Sequence, residues 1–205
     1  GILLNDEIVD VSSFGEDFGE TFFTNDGLRR LSAWFESNKS SLPRAEKNVR
    51  VGAPFTRPSK IICVGLNYSK HAAESKMPIP SEPILFFKST TSFTSPSGDV
   101  VIPRNSKKTD WEVELAVVIG RKASYVEESN AMDYVAGFCL HNDYSEREFQ
   151  LERNGQWVKG KDADPFGPLG AYLITKDEVP NYHNLRLWLK VNGKVLQDSN
   201  TNDLI

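Results

Sequence analysis

The chain has 205 residues and a formal net charge of −4 at pH 7, with 39% hydrophobic and 25% charged residues. This length and composition are typical of a globular protein with one large domain, or one domain and a small appendage. The acidic balance argues against nucleic-acid binding, and no apolar run approaches the roughly 20 residues that a transmembrane helix needs.

The two cysteines, Cys63 and Cys139, both lie in apolar segments typical of strands. Buried free thiols fit a reducing compartment better than a disulfide framework does. We therefore predict a cytoplasmic protein with no membrane partner. No signal peptide is visible, although the chain begins at Gly1 and not at Met, which leaves a removed leader open.

Residues 1–56 are predicted to form a small N-terminal α/β domain. Short apolar segments at 2–4 and 8–11 flank a turn at Asn5-Asp6 and predict two strands. Asn25-Asp26 is a candidate N-cap for a helix whose apolar residues recur at helical spacing, namely Leu28, Leu31, Trp34 and Phe35. Nothing in this domain points to chemistry.

Residues 57–205 are predicted to form a second, strand-rich domain. The apolar segments 61–65 and 84–88 predict two strands, and the residues after the first strand predict a helix. On that helix His71 and Glu74 share a face, and a glutamate beside a histidine raises its basicity, as in a general base. A surface pair on an exposed turn is the alternative.

The segment 111–120 is predicted to be the central strand. Because side chains alternate along a strand, Glu112 and Glu114 share one face, and the opposite face, from Trp111 to Ile119, is expected to be core. The glutamate face continues with small apolar residues, so we expect it to be covered too. Two buried carboxylates repel each other, and a cation relieves the repulsion. A metal site and a strand end that reaches water are the two interpretations.

A further strand over 134–143 ends in Asp143, and Ser145 is predicted to cap a helix that runs to about Arg153. Arg147 and Gln150 would share a face of this helix, close to Asp143. An acid followed by a cation and an amide is suited to an anionic ligand beside a metal. An amphipathic surface helix is the alternative.

The last elements are a loop and a hairpin. Residues 159–170 are rich in Gly and Pro and are predicted to form an irregular loop, either functional or a solvated connector. Alternating residues at 185–191 and 194–196 flank Asn192-Gly193, which predicts a hairpin with a two-residue turn.

Five segments together resemble the fumarylacetoacetate hydrolase family, close to its bacterial diketo-acid hydrolases and ureidoglycolate lyases. They are GLNYSKHAAE (65–74), DWEVELAVVIG (110–120), HNDYSEREFQ (141–150), KGKDADPFGPLG (159–170) and LWLKVNGKVLQ (187–197). The resemblance implies an α+β fold, a mixed β-sheet roll in the form of a distorted barrel or sandwich. Family members continue past the position of Ile205, so we expect the C-terminal part of the fold to be absent from this chain.

The resemblance also implies roles for individual residues. Three carboxylates are expected to hold a divalent cation, usually Mg²⁺, with Mn²⁺ or Ca²⁺ as alternatives: Glu112, Glu114 and Asp143. All-oxygen ligands suit such hard cations. The implied catalytic residues are His71, Glu74 and Lys161, and those expected to contact the substrate are Tyr68, Arg147 and Gln150. Glu146 and Glu148 depart from the family pattern and are expected to affect substrate choice.

The implied activity is metal-dependent hydrolysis of a carbon–carbon bond in a 2,4-diketo acid or an acylpyruvate. Related chemistry on a 2-oxo acid stays open: a decarboxylase, an isomerase or tautomerase, or a lyase, on oxaloacetate, a hydroxymuconate-type acid or ureidoglycolate. A non-catalytic module with a structural cation is a further alternative. The resemblance also implies a homodimer.

Overall fold

The computed structural model describes residues 1–205, and the predicted α+β class is confirmed. Short strands form six small sheets, which do not close into a barrel. The four α-helices are α1 (Glu20–Thr24), α2 (Gly27–Asn38), α3 (Ser69–Glu74) and α4 (Val158–Lys161). None of the helices combines the length and the apolar character that crossing a membrane requires.

The N-terminal residues form two short strands and two helices around a common core. β1 (Ile2–Leu4) and β2 (Glu7–Val9) pair antiparallel and pack with α1 and α2. Their shared core consists of Val9, Val11, Phe22, Leu31 and Phe35. The α2 helix is confirmed, but its predicted side-chain cap is wrong, because Asp26 has a left-handed backbone and makes no cap hydrogen bond. The boundary at residue 56 stays a prediction.

A three-stranded antiparallel sheet carries the central strand. Its order is β11 (Ile174–Thr175), β8 (Val135–Asn142) and β7 (Val113–Ile119). Glu114 lies directly opposite His141, and directly opposed residues of antiparallel strands share a face. Glu112 precedes β7, yet its carbonyl accepts from the Asp143 amide at 2.9 Å, which continues the pairing. One face of the sheet therefore gathers the acidic residues.

The opposite face of β7 is less covered than the sequence predicts. Val117 and Ile119 were expected in the core, but their exposed fractions are 50% and 57%. Near the other end of β7 the Val113 amide donates to Gln197 Oε1 at 2.8 Å, where a second sheet packs. The alternation along β7 is thus correct, but burial depends on which element packs against each half of the strand.

The remaining strands form two-stranded sheets. β3 (Ile61–Gly65) pairs antiparallel with β4 (Ile84–Lys88), as their apolar runs predict. β12 (Arg186–Val191) and β13 (Lys194–Asn200) form the predicted hairpin, with positive φ at both turn residues. The shorter pairs are β5 (Phe93–Thr94) with β10 (Gly167–Pro168), and β6 (Thr109–Asp110) with β9 (Ser145–Glu146).

Two local predictions are wrong. The helix expected from Ser145 to Arg153 is replaced by β9 and a single π-helical turn, Glu148–Glu152. Ser145 does not cap a helix, because its hydroxyl donates to the Asp143 carbonyl at 3.0 Å. Residues 159–161, expected in a loop, form the end of α4. Both segments take their shape from tertiary contacts around β9.

Glu146 explains why β9 replaces the start of the helix. Its side chain is completely buried and accepts hydrogen bonds from the Ser106 and Thr109 hydroxyls and from the Lys108 and Glu148 amides. Burial alone would raise the pKa of Glu146, but these hydrogen bonds outweigh it and hold the pKa below the ordinary 4.5. Glu146 thus ties residues 106–109 to β9, which is a structural role.

We expect Glu146→Gln to lower the free energy of unfolding at pH 7 by about 1–3 kcal/mol, because charge-assisted hydrogen bonds are lost in a buried place. Since the folded-state pKa is depressed, ionised Glu146 stabilises the fold above the unfolded-state pKa. That stabilisation is lost as pH falls through the lower folded-state pKa, so the variant should lose less stability than wild type on acidification. Urea unfolding across this pH range measures both effects.

Glu152→Gln is the matched control, because Glu152 lies in the same region but is exposed and pairs with Lys108. It should change stability by less than about 0.5 kcal/mol. Equal stabilities for Glu146→Gln and Glu152→Gln at pH 7 would contradict the structural role of Glu146.

Candidate active site

A buried lysine lies at the centre of the acidic face. Lys161 is the last residue of α4, and it is only 2% exposed. Its Nζ is 2.6 Å from Glu112 Oε2 and 2.9 Å from Asp143 Oδ2. Three residues that the sequence separates by up to 49 positions therefore meet as one ion-paired group. The structure brings together these three predicted site residues.

A second buried lysine, Lys88, was missed by the sequence analysis. Its Nζ is 2.8 Å from Asp143 Oδ1, so the two oxygens of this carboxylate face two different ammonium groups. Lys88 also donates to the carbonyls of Tyr144 and Lys161. The sequence offered one signal, a lysine at the end of an otherwise apolar strand. A lysine that is buried with such a strand needs a carboxylate partner, which would have pointed to Asp143 or a neighbour.

Arg147 forms the other side of the cluster. Its Nη2 is 2.6 Å from Glu112 Oε1 and 2.8 Å from Asp110 Oδ2. Its Nη1 donates to Gln150 Oε1 at 3.0 Å. The predicted neighbourhood of Arg147 and Gln150 is therefore present, although on a π-helical turn. Asp110 is an addition that the strand pattern did not single out.

Glu114 is the carboxylate of the cluster that forms no ion pair. Burial raises its pKa to about 8, and the nearby charges of Glu112 and Asp143 add to the rise, whereas Lys161 opposes it. The charge of a third carboxylate is thus only partly balanced by the protein. This is the electrostatic situation that a bound cation would relieve.

His141 is a further buried residue that the sequence analysis missed. It lies opposite Glu114 on β8, and its Nε2 has no hydrogen-bond partner. Burial lowers its pKa to about 4, with Lys88 and Lys161 contributing to the lowering and Asp143 opposing it. The imidazole is therefore neutral at pH 7. Strand alternation could have found it, because residues 141 and 143 share a face.

The predicted histidine–glutamate pair is not part of the ion-paired cluster. α3 forms as predicted, but His71 and Glu74 are both exposed, and no hydrogen bond joins their side chains. Tyr68, immediately before α3, is closer to the carboxylates: burial raises its pKa to about 12, together with the charges of Glu114 and Asp203. α3 therefore begins beside the cluster, with its histidine directed towards solvent.

Two surface cavities are lined by residues other than those of the acidic cluster. One, of about 410 Å³, belongs to the N-terminal unit and is lined by residues 16–17, residues 19–22 and Thr56. The other, of about 190 Å³, is lined by residues 64–67, 80–84 and Ile205. Neither is lined by the acidic cluster. Ion pairing and burial, and not cavity volume, mark the candidate site.

The chemistry of the cluster fits a hard divalent cation in part. Its donors are carboxylate oxygens, and Glu114 has no cationic partner of its own. As the side chains stand, however, no three Asp, Glu, His or Cys side chains form a group that could hold a metal ion. Lys161 and Arg147 occupy both oxygens of Glu112. The assignment of Glu112, Glu114 and Asp143 as ligands stays a prediction.

The family of the protein follows from a match that covers the residues of the cluster. Residues 60–205 match the family model described as fumarylacetoacetate (FAA) hydrolase, C-terminal. The chain therefore belongs to the fumarylacetoacetate hydrolase family, and the resemblance inferred from the five motifs is confirmed.

The similar proteins include hydrolases and isomerases. A Burkholderia ambifaria protein, whose name proposes a hydrolase without a substrate, is 48% identical over 206 residues, which cover 100% of this chain and 72% of the relative. A maleylpyruvate hydrolase from Sphingobium sp. SYK-6, in complex with manganese(II) and pyruvate, is 26% identical, with a TM-score of 0.82 over 100% of this chain and 74% of its own. A 5-carboxymethyl-2-hydroxymuconate delta-isomerase from Mycobacterium smegmatis is 33% identical, with a TM-score of 0.68. The match covers 78% of this chain and 64% of the isomerase chain.

The close packing of Gly160 allows Lys161 to reach the carboxylates. A Cβ at Gly160 would lie 2.4 Å from the Glu146 carbonyl oxygen and 2.6 Å from Gln150 Cβ. We expect Gly160→Ala to lower the free energy of unfolding by about 1–3 kcal/mol, because α4 must move away from β9. Urea denaturation measures the effect.

Gly52→Ala is the matched control, because a Cβ at Gly52 meets nothing within 4 Å. A stability of Gly160→Ala equal to that of this control would show that α4 does not need the close approach.

Proposed function

We propose that this protein is a divalent-metal-dependent hydrolase that cleaves a carbon–carbon bond in a 2,4-diketo acid or an acylpyruvate. The observation that carries the proposal is the buried ammonium of Lys161 between Glu112 and Asp143, with the unbalanced Glu114 close by. The similarity to a maleylpyruvate hydrolase whose structure holds manganese(II) and pyruvate supports it.

Glu112, Glu114 and Asp143 are the residues that would hold the cation, with Mg²⁺ as the expected ion and Mn²⁺ as an alternative. When bound, a divalent cation supplies Lewis-acid polarisation of neighbouring substrate oxygens. The three carboxylates belong to β7, to its preceding residues and to the end of β8, so the sheet fixes their spacing. Glu114 supports cation binding because it lies near two other carboxylates and forms no ion pair of its own, and a bound cation would lower its pKa from about 8 by favouring the ionised form.

Lys161 is proposed to stabilise negative charge on the substrate oxygen during the reaction. Its ammonium is almost inaccessible to water, so a hydrogen bond from it to a developing oxyanion is strong. The neighbouring Lys88 keeps one oxygen of Asp143 engaged, which leaves Lys161 to face the other. Arg147 and Gln150, joined at 3.0 Å, lie next to this position and are proposed to orient the substrate, together with Tyr68.

His71, supported by Glu74, is proposed to accept a proton from water. The water oxygen then bonds to the substrate carbonyl carbon, and the adjacent carbon–carbon bond breaks. The electron pair of that bond stays on the 2-oxo acid fragment, which takes up a proton, so the products are a carboxylic acid and a 2-oxo acid. Because His71 is exposed on α3, this role requires α3 to turn the imidazole towards the bound substrate.

An isomerase acting on an unsaturated 2-oxo acid is the second candidate, favoured by the similarity to a hydroxymuconate delta-isomerase. It would use the same proton-accepting group, but without adding water. We also propose a cytoplasmic location, because both cysteines are free, and a homodimer, which follows from the family resemblance alone.

Turnover on a panel of substrates tests the reaction. With Mg²⁺ or Mn²⁺ added, we expect release of a 2-oxo acid and a carboxylic acid from acylpyruvates, and little activity without the metal. The panel includes oxaloacetate, a hydroxymuconate-type acid and a ureidoglycolate-type substrate, and each product is identified by chromatography. Decarboxylation or isomerisation without hydrolysis would refute the first choice.

Two variants separate metal binding from proton transfer. Glu114→Gln should weaken Mn²⁺ binding at least about tenfold, because a buried anionic donor is lost. His71→Ala should keep the Mn²⁺ affinity within about twofold but lower kcat by about 10²–10⁴-fold, the usual contribution of a general base. Electron paramagnetic resonance titration of Mn²⁺ and steady-state kinetics provide the two measurements. Wild-type Mn²⁺ affinity in Glu114→Gln would remove Glu114 from the ligand set.

A further inference from the structure

The helix that carries His71 has few anchors of its own. α3 has six residues, and Ala72 is its buried residue, whereas His71 and Glu74 are exposed. A helix this short is not stable in water by itself, because the free-energy cost of nucleating it exceeds the stabilisation that so few hydrogen bonds provide. Contacts from elsewhere must therefore hold α3 in place.

One such contact comes from Asp203, more than 130 positions along the chain. Its Oδ1 accepts from the Ser69 hydroxyl at 2.7 Å, and its Oδ2 accepts from the Lys70 amide at 2.9 Å. The helix's own N-cap residue, Tyr68, supplies no side-chain cap. Asp203 thus takes over the capping function, since it satisfies an amide that the first helical turn leaves free.

Asp203 belongs to a segment that is fixed at both ends, which we call the 201–205 strap. At one end the buried Thr201 exchanges hydrogen bonds with the Leu185 backbone, at 2.8 and 2.9 Å. At the other end Leu204 bridges to Tyr68, and the Ile205 amide donates to the Asn67 carbonyl at 2.9 Å. The strap therefore connects the β12–β13 hairpin to the residues immediately before α3.

We propose that Asp203 is a positioning residue that holds the histidine-bearing helix against the acidic cluster. It would act through α3, and not by touching substrate, and this inference rests on the role of His71 in the proposed function. The connection to the cluster runs through β3, which ends three residues before Tyr68. Its partner strand β4 ends in Lys88, whose Nζ is 2.8 Å from Asp143 Oδ1. Without the carboxylate cap, α3 frays at its first turn, and a smaller fraction of molecules has the intact helix from which His71 can turn towards the substrate.

The variant Asp203→Ala, made in the intact protein, removes the cap, and Asp203→Asn restores an acceptor that also caps helices well. Asp198→Ala is the matched control, because Asp198 lies on the neighbouring β13 in an exposed ion pair with Arg186. Three quantities are measured for each protein: amide hydrogen exchange of residues 68–75, the affinity for Mn²⁺, and kcat with KM on the best substrate of the panel.

For Asp203→Ala we expect the Lys70 amide to exchange about tenfold faster, the usual size of a lost cap. We expect kcat to fall by up to about the same factor, because only molecules with an intact α3 would present His71 to the substrate. KM and the Mn²⁺ affinity should stay within about twofold, because the sheet holds the carboxylates. Asp203→Asn should recover most of the rate, and Asp198→Ala should match wild type.

Unchanged exchange at residues 68–75 in Asp203→Ala would overturn the cap, and faster exchange with an unchanged kcat would overturn the positioning role. If Asp203→Ala fails to fold, Ser69→Ala takes its place, because it removes one of the two hydrogen bonds to the Asp203 carboxylate. It must show the same changes to a smaller degree. An inactive wild type refutes the proposed function and the positioning role with it, whereas the exchange data then still decide the cap.

Discussion

The site depends on one interaction, the burial of the Lys161 ammonium between two carboxylates. Removing a charge from water costs several kcal/mol unless an opposite charge and hydrogen bonds replace the water. Glu112 and Asp143 provide both, at 2.6 and 2.9 Å. Because Lys161 ends α4, this requirement fixes the helix against the sheet, and the close approach at Gly160 makes the fit possible. The packing around β9 is therefore tied to the electrostatics of the site.

The cluster contains one carboxyl group more than its cationic side chains pair with. Lys88, Lys161 and Arg147 engage both oxygens of Asp143 and of Glu112, but Glu114 is left without an ion pair in a buried place. The result is the strongly raised pKa of Glu114. Strongly perturbed carboxylates of this kind are concentrated at functional sites, where a ligand or cation restores the balance.

The site also combines a rigid part with a loosely held part. The carboxylates and lysines are held by strand pairing and buried ion pairs, whereas His71 lies on a short exposed helix at the edge. Such a division is typical of sites in which fixed groups bind and an element at the rim completes the arrangement. The 201–205 strap connects this rim to the rest of the fold.

Local sequence patterns determined most of the elements. Apolar runs located β3 and β4, the Asn192-Gly193 turn located the hairpin, and alternation placed Glu114 on a covered face. The motifs sufficed for the family, because they occur at fixed spacing along the chain. These features depend on backbone periodicity and turn chemistry, which neighbouring residues specify by themselves.

Only the tertiary structure decided the charge pairing and the burial. Lys88 pairs with Asp143, and Val117 stays exposed. Glu146 binds residues 106–109, so that a strand replaces the start of the helix expected at 145–153. Each outcome depends on a partner at least 37 positions away or on which element covers a face. The sequence by itself determined the chemical groups and their local spacing. Their pairing was decided by the fold, because the free energy of a buried charge depends on what surrounds it in space and not on its neighbours along the chain.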